Sequence, residues 1–158
     1  MNKIFNILKG KGLIIPNWFF KFMAHKFKLM NKVLHSEDGF VVYIEEGFLK
    51  AKTSRGNNSI VDSLNDFRIL KQCAKEASID RVLIVFVETS KVPDNFTELF
   101  ADGLSESEMS FFYDVKIALV SSKKYFKMFQ LLIQYAKSLN VEMEVFVTMK
   151  KAKSWLRG

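Results

Sequence analysis

The sequence predicts an α/β fold: a mixed, mostly parallel five-stranded sheet with helices on its faces, preceded by a basic amphipathic segment. Three observations predict it. Uncharged, β-branched runs such as residues 82–87 (VLIVFV) are apolar in both alternating sets, as a strand covered on each face requires. Between such runs, apolar residues recur every three or four positions, the spacing of an amphipathic helix. The chain has 158 residues, 49% of them hydrophobic, which suits one domain with a modest appendage rather than two domains.

Taken in order, residues 40–44 and 48–53 are short β-branched or aromatic runs separated by Glu45-Glu46-Gly47, whose glycine can take the positive φ of a tight turn. They predict an opening hairpin. After a polar linker at 54–58, Ile60, Leu64, Phe67, Leu70, Ala74 and Ala77 mark a helix, with Ser59 and Asp62 as a capping pair at its start. The run 82–87 is the expected sheet centre. Pro93 forbids a central strand in the less regular stretch 88–112, where Asn95 and Glu98 offer a capping box for a short helix running towards Gly103.

Residues 115–120 supply another buried strand, and Phe126, Phe129, Leu132, Ile133, Ala136 and Leu139 a second amphipathic helix. Residues 143–148 alternate as a strand with one less buried face, and 150–157 close the chain as a short helix carrying Trp155 and Leu156. The expected order is β-β-α-β-α-β-α-β-α, with right-handed crossovers placing helices on the sheet.

The charge is uneven. The whole chain is formally +7, yet residues 1–36 contain seven lysines and no Asp or Glu, so the remainder is formally neutral. This predicts a basic arm (1–36) and an α/β domain (37–158), divided near the Ser36-Glu37-Asp38-Gly39 tetrapeptide. On a helix over about 17–34, Phe19, Met23, Phe27, Met30 and Leu34 form one stripe, while Lys21, His25, Lys28 and Lys32 lie opposite. Such a helix suits the interface of an anionic membrane, or docking on the domain or on a second copy of the chain. Met23 and Met30 are also in-frame alternative starts, which leaves open whether residues 1–29 belong to the natural product. Lysines interrupt every hydrophobic stretch of the arm, so a secretory signal is not expected.

Several chemistries find no support. The longest uncharged stretches, 12–20 and 128–136, are far shorter than the ~20 residues of a membrane span. One cysteine and two histidines cannot build the usual four-ligand zinc site or an internal disulfide. Both histidines, His25 and His35, lie in the arm, so a hydrolase triad in the body has no base. Glycine-rich phosphate loops and HExxH are absent, and no cofactor or metal is expected. A neutral body without a recognition motif argues against nucleic acid. Glu88 and Asp94, at the end of the expected central strand, are read as caps or solvated carboxylates, and Cys73 as a small core residue.

The C-terminal third reads as strand (VKIALVSS), helix (YFKMFQLLIQYAKSLN), strand (VEMEVFVTM) and final helix (KKAKSWL). Over residues 39–157 this resembles the STAS-like, SpoIIAA-like superfamily, whose members commonly end in a "vrvF…eeAlaWL" pattern, matched by Glu144-Val145-Phe146, Ala152 and Trp155-Leu156. The resemblance implies a bacterial, cytoplasmic, non-enzymatic domain acting through a protein partner. Bacterial anti-sigma-factor antagonists in that superfamily carry an Asp-Ser-x-Gly segment whose serine is phosphorylated. The resemblance places Thr97 at that serine, but Phe96 replaces the aspartate and Leu99 the glycine.

Sixteen phenylalanines and seven methionines form a large apolar supply. Phe96, Leu99, Phe100, Met109, Phe111 and Phe112 crowd the irregular crossover, either as plain core or as the lining of a pocket. The expectation is a binding domain that engages a protein partner or its own copy through the hairpin edge or the crossover. The alternative is a carrier or sensor of a small hydrophobic, lipid-like ligand, cytoplasmic and in peripheral contact with the membrane through the arm.

Overall fold

The computed structural model describes residues 32–54, 59–86, 95, 96, 100, 102, 103 and 110–158, the Phe111 side chain excepted. All lie in the second of two units, Asn31–Gly158. The expected arm helix falls outside the described residues except at its end, where it is corrected: Leu34 belongs to a strand, and Lys32 lies just before it.

The sheet has six strands, not five, in the sequential order β1-β2-β3-β4-β5-β6. The unforeseen strand is β1 (Val33–Glu37), antiparallel to β2 (Phe40–Glu45), which pairs antiparallel with β3 (Phe48–Thr53). From β3 onward, β4 (Arg81–Phe86), β5 (Lys116–Val120) and β6 (Met143–Phe146) pair in parallel. Of the Ser36-Glu37-Asp38-Gly39 tetrapeptide expected to mark a boundary, Ser36 and Glu37 end β1, and Asp38 and Gly39 form the β1–β2 turn. Asp38 (φ 42°) and Gly39 (φ 78°) repeat the geometry of Glu46 (φ 54°) and Gly47 (φ 84°) in the β2–β3 turn. Two successive positive φ values twist a two-residue loop to match its strands. Val33 and Leu34 follow the helical stripe of the arm, but pairing with the edge of β2 overrides that local preference.

Among the described residues, three complete α-helices flank the sheet: α1 (Ile60–Ala77), α2 (Lys123–Ser138) and α3 (Met149–Arg157). The capping box at α1 forms as expected, Ser59 Oγ accepting from the Asp62 N–H at 3.1 Å and Asp62 Oδ2 accepting from the Ser59 N–H at 3.3 Å. The crossover helix expected over 95–103 lies mostly outside the described residues, although Phe96, Phe100 and Asp102 are helical.

The β3-α1-β4 and β5-α2-β6 connections step across the sheet in the same direction, so right-handed crossovers place α1 and α2 on one face. Helix α3 covers the other. There Phe48, Leu83 and Ala118 of the sheet meet Ala152 and Leu156 of α3, with Phe146, Met149 and Trp155 at the margin. Ala118 and Ala152 are both fully buried, and their small side chains let α3 approach the strands closely.

Candidate functional site

The α1/α2 face carries the site. Along β3, Leu49, Ala51 and Thr53 share one side by strand alternation, and Thr53 pairs in register with Phe40 and Phe86. Over these residues lies an arc of aromatic rings. Phe129 of α2 meets Phe96 edge-on at 6.2 Å, Phe96 stacks on Phe100 at 5.5 Å, and Phe100 meets Phe67 of α1 edge-on at 5.7 Å. Phe86 joins from the sheet, 5.2 Å from Phe129. Such offset and edge-to-face pairs add stability beyond burial and fix the rings against one another.

Beneath this arc is a cavity of about 90 Å³, open on one side. Its floor contains Ala51, Thr53, Ile84 and Leu119, and its walls include Phe67, Leu70, Phe129 and Leu132. The space arises where the small side chains of Ala51 and Thr53 lie under rings too stiff to collapse onto them. Thr53 and Phe86 are the last residues of β3 and β4, so the cavity lies by the carboxyl ends of parallel strands, where open α/β sheets characteristically bind ligands.

Two polar residues border the cavity away from solvent. Thr53 is 6% exposed, and its Oγ1 meets no hydrogen-bond partner among the described residues. Asp66 of α1 is 8% exposed and lines the same space. Among the described residues no Lys, Arg or His lines it.

Of the residues expected to form a pocket, the structure brings Phe96 and Phe100 to the cavity. Phe112 is buried but stacks on Phe67 at 4.2 Å, behind the lining. Leu99, Met109 and the side chain of Phe111 lie outside the described residues, as do Thr97, Glu88 and Asp94. The same holds for Phe19, Lys21, Met23, Phe27, Lys28 and Met30 of the arm face. Lys32 is exposed, and its carbonyl accepts from the Ile44 N–H at 3.0 Å, while Leu34 is half-buried in β1. The expected face of Phe19, Met23, Phe27, Met30 and Leu34 is therefore not a single helical stripe at its end.

Sequence reading missed Thr53 and Asp66. Both carried a signal: Thr53 continues the period of two from Leu49 and Ala51, and Asp66 stands four residues before Leu70, on the apolar stripe of α1. Cys73 is buried, and burial followed by the nearby Glu76 charge pushes its thiol pKa up, the opposite of an activated nucleophile. Among the described residues no group of His, Cys, Asp and Glu is placed to hold a metal ion, and no helix is long and apolar enough to cross a membrane.

No family model, curated protein or solved structure matches the chain.

Proposed function

We propose that residues 32–158 form a binding domain for a small apolar molecule, held between the sheet and the α1/α2 layer. The observation that carries this reading is the Phe-walled cavity of about 90 Å³ at the carboxyl ends of β3 and β4. Its size bounds the occupant. Drug-sized ligands need pockets of about 300 Å³ or more, whereas an apolar cavity of about 150 Å³ takes a benzene ring. At about 90 Å³ the cavity is smaller than that, so the matching class is a single ring or a short alkyl segment of which part projects through the open side.

Kinship with STAS-like domains belongs to the same proposal. It is supported by the strand-helix-strand-helix order of the C-terminal half and by the burial of Ala152 and Leu156 at the matched packing positions. The edge of the β2–β3 hairpin, expected to receive a protein partner, is occupied by the chain's own β1. Among the described residues, the strand edges that remain for a protein partner are the outer edges of β1 and β6.

Thermal unfolding of the full chain with toluene and 1-hexanol tests the reading. A ligand that binds only the folded state raises Tm with concentration. Ala51→Val, which adds two methyl groups to the cavity floor, is expected to abolish that rise while leaving unliganded stability intact. No rise with either compound at saturation overturns the proposal.

A further inference from the structure

We infer that the cavity selects a neutral, ring-sized ligand bearing one hydroxyl group, a small phenol, and rejects carboxylates of the same shape. The inference rests on the binding reading above and adds the polarity of the ligand. Two observations carry it.

The first is Thr53. Its hydroxyl is buried without a hydrogen-bond partner among the described residues, beside the apolar side chains of Ala51, Phe40 and Phe86. A buried hydroxyl left unmade is costly, and native structures seldom keep one without a purpose. Thr53 lines the cavity, and a rotation of about 120° about its Cα–Cβ bond re-aims the hydroxyl without backbone movement. A ligand hydroxyl there both donates and accepts, as Thr53 does, so either can serve as donor to the other.

The second is the sign of the surroundings. Asp66 lines the cavity, and among the described residues no cationic side chain does. An anion placed there would lose its hydration without gaining a counter-charge from the described lining, and would face a carboxyl group. A fatty acid or benzoate is disfavoured on both counts. The six rings of Phe40, Phe67, Phe86, Phe96, Phe100 and Phe129 around the space suit an aromatic occupant through edge-to-face contacts.

The test measures Kd for phenol, toluene and benzoate by calorimetry on the full chain, as wild type, Thr53→Val and Thr53→Ser. One neutral hydrogen bond is worth up to about tenfold in affinity. Thr53→Val is therefore expected to raise the ratio of the phenol Kd to the toluene Kd by about tenfold. Thr53→Ser, which keeps the hydroxyl, should hold the wild-type ratio. Benzoate is expected to bind at least tenfold more weakly than phenol. A ratio unchanged in Thr53→Val, or benzoate binding as tightly as phenol, overturns the inference while toluene binding preserves the broader reading. Binding of neither phenol nor toluene overturns both.

Discussion

Lys153 of α3 and Glu45 of β2, 108 residues apart in the chain, are joined by a 2.7 Å ion pair. Glu45 also accepts from Lys50 at 2.8 Å, Lys153 reaches Glu46 at 2.9 Å, and Glu46 accepts from Arg157 at 2.6 Å. The β2–β3 turn and the last helix are thus tied by a network, and networks of partly buried charges outweigh isolated surface pairs. Partial burial would push the Glu45 carboxyl up, but hydrogen bonds from Lys153 and Lys50 prevail and hold it below the ordinary glutamate value. The hydrogen bond to Glu45 raises Lys153 above the ordinary lysine value despite the opposing effect of burial.

A carboxyl lowered on folding contributes stability above its unfolded pKa, and that contribution disappears as pH falls through the folded one. Glu45→Gln is therefore expected to cost ~1 kcal/mol at pH 7, and the difference from wild type should close as pH drops below about 4. Urea unfolding at pH 7 and pH 3 reads both. An equal difference at the two pH values would show that the pair does not stabilise through charge. Lys153 carries the opposite sign, its contribution being present below the ordinary lysine value and lost only in stronger alkali.

Phe67 holds the aromatic arc to α1, stacked on Phe112 at 4.2 Å and edge-on to Phe100 at 5.7 Å. Phe67→Ala should destabilise by ~3–4 kcal/mol, the usual cost of truncating a buried ring. Tyr113 is 54% exposed, and Tyr113→Ala should stay within about 0.5 kcal/mol. Equal losses at the two positions would contradict the packing described.

The last helix offers a second contrast. Leu156 is 1% exposed against the sheet, whereas Trp155 is partly buried, with Lys116 Nζ 4.5 Å from its ring centroid and Phe146 at 5.7 Å. Leu156→Ala is expected to cost ~3 kcal/mol and Trp155→Ala less, ~1–2 kcal/mol. Chemical denaturation of both variants checks the order, and a larger loss for Trp155→Ala would reverse the assignment.

Cys73 is 7% exposed and its thiol is held protonated by burial. Native protein should react with iodoacetamide at neutral pH at least about a hundredfold more slowly than urea-unfolded protein, because reaction waits on opening of α1. Rapid labelling of the folded chain would place the thiol outside the core.

The parallel strands and three helices were legible because each has one consistent period and strong apolar content: VLIVFV for β4 and the Phe129-Leu132-Ile133-Ala136 stripe for α2. Strand β1 was not. Its sequence, VLHSE, neither alternates nor stays apolar, and its pairing with β2 shifts register between Val33 and His35. The Asp38-Gly39 pair was a hairpin signal read as a boundary, because the drop in lysine content at the same place drew the division there. The cavity was half legible. Phe96 and Phe100 stood out by composition, but Thr53 and Asp66 depend on which strand end meets which helix, a tertiary relation no local window contains.

The strictly sequential strand order has a kinetic meaning. Each new strand emerging during synthesis finds its neighbour already made, so the sheet can zip from one edge to the other without waiting for a distant partner. The exception is the face that, among the described residues, α3 covers. Phe48, Leu83 and Ala118 wait for residues 149–157 to leave the ribosome before α3 can cover them, so that greasy flank is wet for most of synthesis.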